Sequence, residues 1–171
     1  MPLLSVADNV REVRMRIEDA AERALREASD VLLVAVTKTV EPPSIIEAIE
    51  AGVTAVGENR IQEASRKFGE GLPPVEKHLV GHLQRNKVKT ALELFDMVES
   101  VDSLRLAREI SRRCEARERR MDVLVEVNTS GEESKYGLDP EGAVETIEEM
   151  AGLPGIRIRG LMTVGAFLED P

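Results

Sequence analysis

A lysine follows the most apolar stretch of the chain, at a position where it could do covalent chemistry. All residues from Val31 to Val36 are apolar and most are branched, and Thr37 and Lys38 come directly after them. Such a run predicts a strand of a parallel sheet that is buried on both faces. Ligands bind at the carboxyl ends of parallel strands. An unprotonated amine at such a position can attack a carbonyl carbon, which is one interpretation of Lys38. The alternative is that Lys38 is a solvated lysine that only ends the strand.

Polar residues also follow the second and third predicted strands. Asn59 comes after the strand predicted at 53–56, where it is expected to cap the next helix, to contact a ligand, or to do both. His78 and His82 belong to the strand predicted at 77–82. At about 3.3 Å per residue they would lie about 13 Å apart, so they cannot bind one metal ion together. His82, at the strand end, is the one expected nearer to the ligand.

Candidates of the same kind lie in the second half of the chain. Met162 ends the strand predicted at 156–162 and would ordinarily belong to the core. Lys135 and Tyr136 lie in a polar loop after the fifth strand. We interpret Lys135 as a solvated lysine and Tyr136 as a loop residue, with an acid–base role for Tyr136 as the alternative. Asp102, after the fourth strand, is predicted to cap a helix.

Strands and helices alternate along the whole chain. Ser5 begins a leading amphipathic helix, and six strands follow with helices between them. This order predicts either an open doubly wound sheet or a TIM-type (β/α) barrel. The predicted strands span residues 31–38, 53–56, 77–82, 95–100, 121–127 and 156–162.

The turn after the first strand distinguishes the two folds. Residues 37–42 contain no glycine, whereas nucleotide-binding open sheets usually carry a glycine-rich turn there. The α/β barrel is therefore favoured. A full barrel needs about 250 residues, and the chain has 171. We expect a single, partial barrel domain over residues 1–171, with about six of the eight strand units of a full barrel, as if the chain were truncated at its C-terminus.

The composition argues against two classes of partner and favours one cellular compartment. The formal net charge of −9 argues against nucleic acid and anionic membrane as partners. No apolar run approaches the length of a membrane span, and the N-terminus does not resemble a signal peptide. Cys114 is the only cysteine, so no internal disulfide can form. A reducing, cytoplasmic setting is predicted.

Five separated segments carry a more specific signal. In their order and spacing they resemble the pyridoxal phosphate homeostasis protein family, and the resemblance covers nearly the whole chain. The segments are AVTKT at 35–39, GENRIQE at 57–63, HLVGHLQRNK at 78–87, VN at 127–128 with SKYGL at 134–138, and GLMT at 160–163.

The resemblance implies a barrel similar to the N-terminal domain of alanine racemase. It implies that pyridoxal 5'-phosphate (PLP) is held as a Schiff base on Lys38, with Asn59, His82 and Met162 as further cofactor-binding residues. It also implies a protein that holds PLP, or delivers it to apo-enzymes, without established catalysis. A racemase-like or other Schiff-base-forming enzyme is the alternative, because such enzymes would use the same lysine.

One part of the family pattern is missing from the chain. In the family, turns after the seventh and eighth strands bind the phosphate of PLP, and both would lie beyond Pro171. Without those strands, the first and sixth strands would be open edges of the sheet. We therefore expect that the chain either self-associates through these edges or is unstable.

Overall fold

The sheet consists of six parallel strands that neighbour one another in chain order. The computed structural model describes residues 5–69, 71–132 and 135–165. Each strand pairs in parallel with the next one along the chain. The strands are β1 (Val34–Val36), β2 (Ala55–Glu58), β3 (Glu76–Leu79), β4 (Met97–Val101), β5 (Met121–Glu126) and β6 (Ile156–Met162).

Helices connect the strands, as parallel pairing requires. One helix precedes β1, and one α-helix lies between each pair of consecutive strands. The helices are α1 (Val6–Arg23), α2 (Pro42–Glu50), α3 (Ile61–Gly69), α4 (Val88–Leu94), α5 (Leu104–Glu115) and α6 (Ala143–Ala151). Among the described residues, no helix combines the length and the apolar character needed to cross a membrane.

The strand order confirms the barrel-type α/β fold. A doubly wound sheet reverses its strand order at a switch point, whereas β1 to β6 follow one another without a reversal. The bounds of β6 are those predicted from the sequence, and each of the other five strands overlaps its predicted segment. The fold therefore places the end of every strand along one edge of the sheet, where the candidate residues lie.

Aliphatic side chains between the strands and the helices form the core. The larger cluster joins β3 to β6 with α3 to α6 and includes Leu79, Val98, Ile110 and Val123. A smaller cluster packs α1 and α2 against β1 and β2 around Ile45. Full burial of one such side chain stabilises the fold by about 1.5–3 kcal/mol. The scarcity of aromatic residues is thus compensated by branched aliphatic ones.

The prediction that residues 31–38 form a strand buried on both faces is wrong. Only Val34–Val36 is strand, and Val31, Leu32 and Val36 are 42%, 52% and 48% exposed. Two causes account for this. Val31 ends a short 3-10 helix, and β1 pairs only with β2 among the described strands, so no neighbour covers its other side.

The caps at the N-termini of two helices were predicted from the sequence, one correctly and one wrongly. Ser5 caps α1 as predicted, through a reciprocal pair of hydrogen bonds with Asp8. The predicted cap at Asp102 is wrong, because the N-cap of α5 is Ser103, whose hydroxyl accepts from the Leu106 N–H. The Asp102 carboxylate instead contacts His82, a residue that follows β3.

Candidate functional site

The candidate site is the edge formed by the carboxyl ends of the strands. Lys38 follows β1, Asn59 follows β2, His82 follows β3, Asp102 follows β4, and Met162 ends β6. The topology therefore puts all four predicted cofactor-binding residues at one edge of the sheet, together with Asp102. Their roles stay predictions, and the contacts of each are described below.

The strand that precedes Lys38 has an inner face, turned away from the helices, and a helix-covered face. A Cβ built on Gly57 would lie 3.2 Å from Val34 Cγ1 and 3.5 Å from Val36 Cγ2, so these residues share one face. Thr37 points to the opposite, helix-covered face, where its hydroxyl donates to Glu58 Oε1 at 2.7 Å. Lys38 comes two residues after the last residue of β1, in the turn at the carboxyl edge of the sheet.

The Lys38 side chain is exposed and makes no hydrogen bond or ion pair within the described parts of the chain. Val36 pairs with Gly57 in the register of β1 and β2, and Lys38 and Asn59 each come two residues after this pair in the chain. Asn59 is half-buried. Its backbone packs against Gly81, where an added Cβ would lie 2.3 Å from Asn59 O. The expected helix-cap bond from the Asn59 side chain is not among the contacts of the described residues.

A buried lysine that the sequence reading missed lies behind Lys38. Lys67, on α3, has a fully buried side chain, and its Nζ lies 2.6 Å from Thr37 O and 2.7 Å from both Glu58 Oε1 and Glu63 Oε1. Burial lowers the pKa of Lys67, but the two carboxylates outweigh it and raise that pKa. The available signal was its spacing, since Ile61, Ala64 and Lys67 follow at three-residue steps on the buried stripe of α3.

Two neighbouring side chains hold His82 at the rim, which is the edge formed by the carboxyl ends of the strands. Its Nδ1 lies 2.8 Å from Asp102 Oδ2, and its ring stacks on Tyr136 with ring centroids 3.8 Å apart and an interplanar angle of 10°. Tyr136 is therefore more than a loop residue, because it covers a histidine at the strand ends. An imidazole bound to a carboxylate can exchange a proton at its other nitrogen.

Glu126, at the end of β5, is a buried carboxyl near this histidine. Burial raises the pKa of Glu126, the nearby charge of Asp102 raises it further, and His82 opposes them. Sequence reasoning did not single out Glu126. The signal available was its position, because Glu126 is a charged residue at the end of a predicted strand.

The loop between β5 and α6 is tied back to the end of β5. Asn128 Nδ2 donates to Glu132 O at 2.9 Å, and the Leu138 N–H donates to Glu126 O at 2.8 Å. Lys135 is not simply solvated, because its Nζ lies 2.8 Å from Glu132 Oε1 and donates to Gly165 O at 3.1 Å. These contacts hold Tyr136 over His82.

Beneath the rim, charged side chains line the inner face. His78 Nδ1 lies 2.5 Å from Glu99 Oε1, and its Nε2 lies 3.2 Å from Glu76 Oε1 without making a hydrogen bond. Burial lowers the pKa of His78, but the two carboxylates together raise it above its usual value. The two histidines of the chain thus bind separate carboxylates.

Sequence comparison assigns the chain to a family. The alanine racemase N-terminal domain family matches residues 8–171. The chain belongs to this family and, within it, to the pyridoxal phosphate homeostasis proteins. It is 38% identical to the pyridoxal phosphate homeostasis protein of Aquifex aeolicus over 170 residues, which are 98% of this chain and 74% of that protein. The Escherichia coli (strain K12) protein of the same name is 38% identical over 165 residues, with 94% of this chain and 70% of that protein covered.

Solved structures show the same fold. An unknown protein from Bifidobacterium adolescentis superposes with a TM-score of 0.86 at 44% identity, covering 96% of this chain and 71% of that one. PipY of Synechococcus elongatus, solved with PLP bound, superposes with a TM-score of 0.77 at 33% identity, covering 90% of this chain and 72% of that one. Alanine racemase of Clostridium difficile, at 18% identity and a TM-score of 0.67, shows the fold alone.

Proposed function

We propose that this protein binds PLP as a Schiff base on Lys38 and serves in PLP homeostasis without turning over a substrate. The observation that carries the proposal is the position of Lys38 in the turn directly after β1, at the carboxyl edge of the sheet, with an exposed amine that has no partner among the described residues. Support also comes from a 33% identical relative that was solved with PLP bound.

The residues around Lys38 fit the aldehyde end of PLP. Lys38 would hold the aldehyde carbon of PLP through its side-chain nitrogen, with the aldehyde oxygen leaving as water. Gly57 carries no side chain, and its neighbours Val34, Val36 and Val80 make an apolar floor beneath the rim. We assign Asn59, His82 and Met162, at the same edge of the sheet, to non-covalent contacts with PLP. Bound PLP would supply an electron sink for amines attached to it.

Borohydride trapping tests the proposal. After incubation with PLP and reduction, peptide mass spectrometry should find the pyridoxyl group on Lys38, and Lys38→Ala should lose it. Lys89→Ala, which removes an exposed lysine of α4, is the matched control and should keep the adduct on Lys38. Label spread evenly over the surface lysines would overturn the assignment.

The absence of turnover has a separate test. His82 and Tyr136 stack on each other, and His82 Nδ1 lies 2.8 Å from Asp102 Oδ2, so both side chains are already engaged by other groups of the protein. We therefore expect the PLP-loaded protein not to exchange the α-proton of alanine in D2O. Exchange that depends on Lys38 would instead identify a racemase-like enzyme.

The proposal extends to partners and location. PLP is the small-molecule partner, apo-enzymes that need PLP are the proposed recipients, and the open edges of the sheet are proposed to allow self-association. A cytoplasmic setting is proposed as well, and the free, buried thiol of Cys114 suits a reducing compartment. Transfer to a recipient can be followed as activation of an apo-enzyme by the PLP-loaded protein under conditions in which free PLP is scavenged.

A further inference from the structure

The buried Lys67 connects to the backbone on both sides of Lys38. On one side, Lys67 Nζ donates to Thr37 O at 2.6 Å. On the other, it pairs with Glu63, whose Oε1 accepts from the Thr39 N–H at 2.7 Å. An ammonium group has three donors, and all three of its neighbours lie in this cluster, since Glu58 Oε1 is the third.

The turn that carries Lys38 needs such support. Thr39 has a φ of +63°, a left-handed conformation that residues other than glycine rarely adopt and that persists only where surrounding contacts hold it. Glu63 holds the Thr39 N–H, and the Thr39 hydroxyl donates to Lys38 O at 2.6 Å. The backbone of Lys38 is thus fixed while its amine stays free.

Packing alone does not explain a lysine in this place. Lys67 and Glu58 are both fully buried, and a buried ion pair can often be replaced by apolar residues without loss of stability. An apolar side chain on α3 could fill the space between α3 and β2, but it could not bind Thr37 O or hold Glu63 against Thr39. What only the ionic cluster provides is a defined geometry of the turn between residues 37 and 39.

We infer that Lys67 is a positioning residue, which acts through Thr37, Glu63 and Thr39 to place the Lys38 amine for reaction with the PLP aldehyde. This inference rests on the proposed function. Misplacement of a reacting group by about 1 Å can slow a reaction up to about a hundredfold. Loss of the cluster should therefore slow attachment at Lys38 without affecting lysines elsewhere.

Two variants break the cluster at different points. Lys67→Met removes the ammonium and leaves Glu58 buried without its partner. Glu63→Ala removes the link to Thr39 and one carboxylate partner of Lys67 but leaves the pair of Lys67 with Glu58. Because Glu63 is partly exposed, this variant is expected to fold even if Lys67→Met does not. Glu63→Gln keeps an oxygen acceptor and should restore the wild-type behaviour. Gln62→Ala, an exposed neighbour on α3, is the matched control.

The first measurement is the rate of borohydride-trapped pyridoxyl labelling at Lys38 relative to Lys89 in the same molecules. We expect Lys67→Met and Glu63→Ala to lower this ratio about tenfold, and Glu63→Gln and Gln62→Ala to leave it unchanged. An unchanged ratio in folded Glu63→Ala would overturn the positioning role and leave the proposed function intact.

The second measurement needs no PLP and separates this inference from the proposed function. Hydrogen exchange of the Thr39 amide should be faster in Glu63→Ala than in wild type and Glu63→Gln. If wild-type Lys38 is not labelled, the proposed function fails, and faster exchange still supports the fixed turn. If exchange at Thr39 is the same in all variants, the cluster does not hold the turn, and the inference is wrong.

Discussion

Two lysines near the ends of the strands differ in their exposure and in the number of their partners. Lys38 keeps an exposed amine without a partner among the described residues, whereas Lys67 is fully buried and meets three acceptors. The two lysines therefore have opposite environments although Lys67 contacts the residue next to Lys38. We propose covalent chemistry for the exposed lysine and a supporting role for the buried one.

Glu126 gives a pH-dependent prediction. Burial raises the pKa of Glu126 in the folded protein, so between its unfolded value of about 4.5 and its folded value the folded state binds more protons. Stability should therefore fall as pH rises through this window. Glu126→Gln should remove the fall and raise the melting temperature at pH 7 but not at pH 4.

Thermal unfolding at several pH values measures this effect. Glu145→Gln neutralises an exposed carboxyl on α6 and serves as the control of equal charge. If both variants shift the melting temperature equally at pH 7, net charge rather than the burial of Glu126 accounts for the change.

At the scale of elements, the loop between β5 and α6 depends on one close approach. Gly137 has a φ of +118°, and a Cβ there would lie 2.6 Å from Asn128 N and 2.9 Å from Val127 C. Both neighbours are backbone atoms at the end of β5 and cannot give way cheaply. The loop can therefore lie against the strand end, with Tyr136 over His82, only if residue 137 has no side chain.

Gly137→Ala is predicted to destabilise the protein by about 2 kcal/mol or more, because a strained backbone costs about 1–2 kcal/mol and overpacking adds to it. Gly131→Ala is the matched control, since Gly131 also has a positive φ, of +71°, but no atom of the described residues lies within 4 Å of an added Cβ. It should cost only about 1–2 kcal/mol.

Urea unfolding and tyrosine fluorescence test this pair of variants. Tyr136 is the only tyrosine and the chain has no tryptophan, so the fluorescence reports directly on the stack with His82. Gly137→Ala should change this signal and Gly131→Ala should not. Equal losses of stability with an unchanged signal would contradict the role given to the close approach.

At the scale of the whole molecule, the sheet has two strands with a neighbour on one side only among the described strands, β1 and β6. Unpaired strand edges promote association with another chain. Val36 on β1 and Leu161 on β6 are 48% and 63% exposed, so apolar side chains accompany the unpaired backbone. The chain has the features that favour pairing between copies.

We expect this chain to associate with itself in a concentration-dependent way and Leu161→Lys to weaken the association. A lysine on an edge strand disfavours pairing because its charge would have to be desolvated. Val144→Lys on α6 replaces a side chain that is 65% exposed and is the matched control. Sedimentation velocity over a range of protein concentrations distinguishes the variants, and a chain that stays monomeric throughout would refute the expectation.

The sequence by itself determined the order of the elements, the bounds of β6 and the place of Lys38 at a strand end. These features follow from local signals, which are apolar runs, turn residues and caps such as Ser5. The same local reading failed at Asp102, because a cap and a partner for His82 are equally compatible with one aspartate after a strand.

Only the tertiary structure decided which distant groups meet. Lys67 contacts Thr37, thirty residues earlier in the chain, because the register of β1 with β2 sets Thr37 beside Glu58 and α3 packs across both. Tyr136 reaches His82 because Gly137 lets its loop lie against β5. Such contacts depend on register and packing between elements, and the pattern within any one element does not contain that information.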